Sequence, residues 1–218
     1  MNQEFIDAAT QGDVAKVKQM LQADPSLAQS KDENGLSVIL KASYYGRREV
    51  VEALLASGVE LNIFEAAATG QTDRVRKLIE QDPALVNSYS PDGFAPLSLA
   101  VFFGHGDTVD ALLTAGAEVS APSRETMKLT PLASALAAGH NQIARTLIEH
   151  GAHVNAKGDS DVTPLHTAAA RGNIEAATFL LEHGADINAT TTDGKKPISY
   201  AEERNQPEMV EFLKNRSA

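Results

Sequence analysis

Hydrophobic and polar positions recur along this chain in one shape. An apolar start is followed by small residues, a glycine, an amphipathic stretch and two adjacent apolar residues. Thr163-Pro164-Leu165-His166-Thr167-Ala168-Ala169-Ala170-Arg171-Gly172 is the clearest start. Its counterparts stand 33 positions earlier, Thr130-Pro131-Leu132 through Gly139, and 33 later, Lys196-Pro197-Ile198 through Ala201. The closing pairs include Leu147-Ile148 before Gly151-Ala152 and Leu180-Leu181 before Gly184-Ala185. Pro suits the first turn of a helix, where its missing N–H loses no bond, and a preceding Thr can cap that helix. Glycine can take the left-handed conformation that ends one. The pattern predicts two short helices per repeat. Neither is long enough to be stable alone, so stacking supplies the stability.

The glycine before the second helix marks the period. It falls at Gly12, Gly46, Gly70, Gly104, Gly139 and Gly172, with Asn205 in the same place at the end. The intervals are 34, 24, 34, 35, 33 and 33. Seven repeats of this period, fourteen helices in all, tile the chain at approximately 1–31, 32–62, 63–89, 90–123, 124–157, 158–190 and 191–218. With the Thr-Pro-Leu-His-x-Ala-Ala signature, the chain resembles the ankyrin-repeat family. The resemblance implies an all-α solenoid of about seven helix-turn-helix repeats with short β-hairpin loops, one ankyrin-repeat domain over 1–218. The Asp-Pro of the odd repeats and the Phe102-Phe103-Gly104-His105 run are similar to stand-alone, bacterial-type ankyrin proteins.

Two irregularities overlie the period. Repeats 1–2 and 3–4 read as a duplicated unit 58 residues apart: Asp24-Pro25 matches Asp82-Pro83, and Tyr44-Tyr45-Gly46 matches Phe102-Phe103-Gly104. The 24-residue interval is nine short of 33, because Glu60-Leu61-Asn62 runs straight into Ile63 with no turn between. One hairpin finger is therefore expected to be missing between repeats 2 and 4. The ends carry polar faces expected of solenoid caps, with Asn2, Gln3 and Glu4 in repeat 1 and a charged last helix.

Composition narrows the function. The chain has 218 residues, no cysteine or tryptophan, and a formal charge of −10. That excludes thiolate chemistry, fits a reducing compartment, and lacks the basic face of a general nucleic-acid or membrane-surface binder. No secretory signal or membrane-spanning run is read, so the expected location is cytoplasmic. The histidines have structural places, and neither metal nor cofactor is expected. His166 occupies the motif position whose ring bonds turn backbone, and His150 and His183 end second helices. Asp159-Ser160-Asp161 begins like a calcium loop but lacks the central glycine and the final glutamate, so a solvated hairpin tip is the better reading. No nucleophile elbow or phosphate loop occurs.

The resemblance places partners against the hairpin tips and first helices, on the concave face. Four of the eleven aromatics lie on two of the seven pairs that point there: Tyr44, Tyr45, Phe102 and Phe103. Leu36 and Phe94 follow turn glycines, Met127 and Leu129 lie in the lengthened fifth hairpin, and Arg47, Arg48 and His105 form a polar rim. These residues are the expected contact surface for a protein or peptide, basic rather than acidic given the net charge. The expected activity is binding without catalysis. A small-molecule receptor or enzyme with a pocket at the missing hairpin is the alternative. A further alternative concerns the rings themselves. Tyr45 and Phe103, nearest the glycines, can pack sideways on the next repeat, and the aromatics as a group can close over the gap.

Overall fold

The computed structural model describes residues 2–124 and 129–217. Fourteen α-helices stand among them, two to a repeat. The pairs are α1 Gln3–Gln11 and α2 Val14–Ala23; α3 Val38–Tyr44 and α4 Arg48–Ala56; α5 Ile63–Ala68 and α6 Thr72–Gln81; α7 Pro96–Phe102 and α8 Gly106–Thr114; α9 Pro131–Ala138 and α10 Asn141–Glu149; α11 Pro164–Ala170 and α12 Ile174–Glu182; α13 Pro197–Glu203 and α14 Pro207–Arg216. Successive first helices pack on one another, and their alanines allow the close approach. Ala9, Ala42, Ala66, Ala67, Ala100, Ala135, Ala169 and Ala201 are fully buried. The core continues from Phe5 to Leu213.

One backbone motif joins the two helices of every repeat. The residue after the anchor position donates its N–H five residues back, to an alanine carbonyl. Asp13 bonds Ala8, Arg47 bonds Ala42, Gln71 bonds Ala66, His105 bonds Ala100, His140 bonds Ala135, Asn173 bonds Ala168 and Gln206 bonds Ala201, all at 2.8–3.0 Å. This closure needs a left-handed residue just past the helix. Asn205, with φ 53°, supplies it where the other repeats use glycine. At Gly70 and Gly104 a second constraint applies. A Cβ there would stand 2.7 Å from His105 Nδ1 and 2.8 Å from His140 Cε1, because the next repeat's imidazole covers each glycine.

The connections follow the duplication. In repeats 1 and 3, Asp24 and Asp82 end the second helix and cap 3-10 turns at Pro25–Gln29 and Pro83–Asn87. Hairpin turns close with Asp32 N–H on Leu36, Ser90 on Phe94, Ser123 on Leu129, Gly158 on Val162 and Thr191 on Lys195. Among the described residues the only β-bridge is Lys31 with Ser37, so the fingers are turns rather than sheet. Repeat 3 has no finger. Asn62 caps α5 directly, and Glu65 returns a bond to the Asn62 N–H.

Candidate functional site

The missing finger brings repeat 2 against repeat 4. Tyr44, the last residue of α3, lies 6.4 Å from Phe94, 6.3 Å from Phe102 and 5.6 Å from Phe103, centroid to centroid. Phe102 and Phe103 meet edge to face at 5.0 Å. The Tyr44 hydroxyl donates to Asp92 Oδ2 at 2.7 Å. Burial pushes the phenol well above its usual range, and the Asp92 carboxylate pushes it the same way. Two turns meet beside it, since a Cβ on Gly35 would stand 4.0 Å from Pro91 Cγ. The first of these turns is pinned to its own helix by Lys41 and Asp32, 2.7 Å apart, and the ammonium holds the Asp32 carboxyl below its ordinary range.

The four rings thus pack together across the place of the missing finger. Within the two aromatic pairs the burial is uneven. Tyr44 is half-buried while Tyr45, next to the glycine, is 59% exposed. Phe103 is half-buried while Phe102 is 49% exposed. Tyr45 packs less than its place beside the glycine suggested, and it is Tyr44 that meets the aromatic residues of repeat 4. Leu36 and Phe94 pack half-buried against the core. Met127 lies outside the described residues.

The polar rim is tied to neighbouring repeats. Arg47 Nε donates to Thr10 O at 2.8 Å, reaching back over Gly12. His105 Nε2 lies 3.0 Å from Ala68 O, and burial lowers the imidazole's affinity for a second proton. Arg48 pairs with Glu52 in the open. A groove of about 480 Å³ runs beside these groups, lined by Ser43, Gly46, Arg47, Arg48, Val51, Glu52 and Leu55 of repeat 2, Thr69 of repeat 3, and Phe103 and His105 of repeat 4.

Three other histidines also bond carbonyls: His140 to Phe102, His150 to Thr146, and His183 to Phe179. His166 is fully buried. It accepts from Thr163 N–H on Nδ1 at 3.2 Å, so Nε2 carries the proton and donates to Lys195 O at 3.1 Å. Asp159–Asp161 is a hairpin tip, as expected, with Ser160 and Asp161 both at positive φ. Sequence reasoning did not single out Asp92 as an acceptor for Tyr44. Nor did it find Arg124, whose guanidinium stacks 3.7 Å over the Tyr89 ring along the finger edge. The only signal for Asp92 was its match to Asn34 in the duplication.

Comparison with known proteins accords with this architecture. A family described as ankyrin repeats (3 copies) matches residues 5–123, 63–158, 121–191 and 157–218. Alpha-latrocrustotoxin-Lt1a of Latrodectus tredecimguttatus is 29% identical over 125 residues, 54% of this chain and 9% of the toxin. Serine/threonine-protein kinase VIK of Arabidopsis thaliana is 43% identical over 77 residues, 35% of this chain and 17% of the kinase. A transient receptor potential cation channel subfamily A member 1 homolog of Caenorhabditis elegans is 28% identical over 137 residues, 60% of this chain and 11% of the channel. The chain thus spans less than a fifth of the length of each of these relatives. The family matches overlap from residue 5 to residue 218, and the chain belongs to the ankyrin-repeat family.

Proposed function

We propose that this chain is a non-catalytic protein-binding array, seven repeats over 1–218. Its concave face would take a folded partner's surface or a peptide between Tyr45 and Phe102. Ankyrin repeats are generally protein–protein interaction modules. The observation that carries the choice of surface is the exposure of these two rings. They are the only exposed large hydrophobic side chains among the described residues. Exposed aromatics on one face are what binding hot spots use, and covering one contributes about 1.5–3 kcal/mol. Leu36, Phe94 and Phe103 support them from behind, with Arg47, Arg48 and His105 at the edge. Met127 belongs to the same proposed surface.

The charge of −10 favours a basic partner through long-range attraction, and the absence of cysteine suits the reducing cytoplasm. No helix among the described residues is long and apolar enough to cross a membrane. The test is affinity purification with mass spectrometry, using wild type and the Tyr45→Ala, Phe102→Ala double variant. A protein lost from the variant, whose melting temperature hardly moves, supports the reading. Equal recovery on both baits places the contact elsewhere.

A further inference from the structure

Four observations meet at the junction of repeats 2 and 3. Second helices pack on their neighbours from α2 to α4, α6 to α8, α8 to α10 and α10 to α12, but α4 does not pack along α6. The first-helix contact at the same junction, α3 with α5, is the least extensive in the row. The pair α12 and α14 also lacks extended packing, but there the first helices α11 and α13 make the most extensive contact of all. No hairpin links the two repeats: residues 57–62 run directly from α4 into α5. The sequence duplication also changes unit here, because repeat 3 begins as repeat 1 does, at a helix capped by an asparagine side chain.

Against these weak contacts stands one long reach. Tyr44 skips repeat 3 and joins α3 to the finger and first helix of repeat 4 through three ring contacts and the Asp92 bond. We propose that the junction between α4 and α5 is an articulation, that α1–α4 part from α5–α14 as a unit, and that Tyr44 is the strap holding it closed. The proposal stands whether or not a partner binds this face. If one does, the strap also sets the spacing of Tyr45 and Phe102.

The chain has no cysteine, so paired spin labels can be placed without background. One pair, Glu52→Cys with Arg76→Cys, spans the junction on exposed positions of α4 and α6. A control pair, Asp110→Cys with Gln142→Cys, spans α8 and α10. Adding Tyr44→Ala should broaden the first distance distribution and leave the second unchanged. Hydrogen exchange in the unlabelled Tyr44→Ala protein should accelerate together across α1–α4, on the order of a hundredfold, with α9–α14 unaltered. Should Tyr44→Ala fail to fold, Tyr44→Phe is read the same way, with a smaller acceleration confined to the same four helices. Unchanged distances across the junction, or acceleration spread evenly over all fourteen helices, would overturn the articulation.

Discussion

The Tyr44 hydroxyl and the Asp92 carboxylate, 48 positions apart in sequence, are joined by a 2.7 Å hydrogen bond that passes over a whole repeat. Neighbouring repeats ordinarily suffice to hold a solenoid together, since each touches only the next. Here repeat 3 lacks the finger that would have stood between the two residues, and the bond occupies its place.

That bond has a measurable worth. Tyr44→Phe keeps the ring contacts and removes the donor, for an expected cost of about 1 kcal/mol. Tyr44→Ala also removes three aromatic contacts and is expected to cost about 3 kcal/mol or more. In a double-mutant cycle, Tyr44→Phe and Asp92→Ala should be less than additive by about 1 kcal/mol. Urea unfolding of the four proteins measures this. Strict additivity would show that the two groups do not act on one another.

Much of the architecture was legible because it depends on local backbone chemistry. Pro96, Pro131, Pro164 and Pro197 start first helices as their fixed φ predicts. Asn205 was legible as a glycine substitute because Asn tolerates the left-handed region. The absent finger was legible as a nine-residue deficit. What the absence does was not legible. Whether Tyr44 or Tyr45 turns inward depends on a finger that arrives 48 residues later, and adjacent identical residues carry no signal of that. The same holds for Arg47 and His105. Their charge and position suggested a free rim, but their partners are main-chain carbonyls of Thr10 and Ala68, which any sequence provides.

Acid should weaken the fold through its buried imidazoles. Burial lowers the proton affinity of both His166 and His105 in the folded chain, so the unfolded chain binds more protons below about pH 6.5. Their stabilising contribution is complete above that value and is lost progressively as pH falls below it. Protonating His166 Nδ1 would also abolish its role as acceptor for the Thr163 N–H. The urea midpoint should therefore drop between about pH 7.5 and about pH 5.5. His166→Gln should be less stable at the higher pH and show a smaller drop. An equal drop in the variant would assign the acid sensitivity to other groups.

The finger of repeat 6 is strained in a way that substitution can relieve. Ser160 and Asp161 hold φ values of 56° and 61°, and Val162 N–H bonds Asp159 O at 3.2 Å. Two left-handed residues in succession form the tight turn that favours Asn-Gly, and each non-glycine residue there costs about 1–2 kcal/mol. Replacing Ser160→Asn and Asp161→Gly sacrifices an exposed ion pair between Asp161 and Lys157, which is worth little. The double variant should gain about 0.5–1 kcal/mol, raising the melting temperature by about 1–4 °C. A lower melting temperature would mean that Asp161 holds the finger in a way that the backbone angles do not reveal.

The two apolar residues that close α8 should differ sharply when truncated. Leu112 is fully buried and Leu113 is 9% exposed. Both belong to a central repeat, with α6 packed on one side of their helix and α10 on the other. Removing a buried leucine side chain typically costs about 2–5 kcal/mol, depending on how far the surroundings collapse into the space. Around Leu112 the neighbours are helices held in register by the repeats on both sides, so little collapse is available. Leu112→Ala should therefore fall in the upper part of that range, and Leu113→Ala, nearer the surface, in the lower part. Glu149, exposed near the end of α10, makes no contact that compares, and Glu149→Ala should change stability by less than about 0.5 kcal/mol. Chemical unfolding of the three variants orders them directly. If Leu113→Ala proved the most damaging, the buried face of α8 would be centred on Leu113, about 100° round the helix from Leu112.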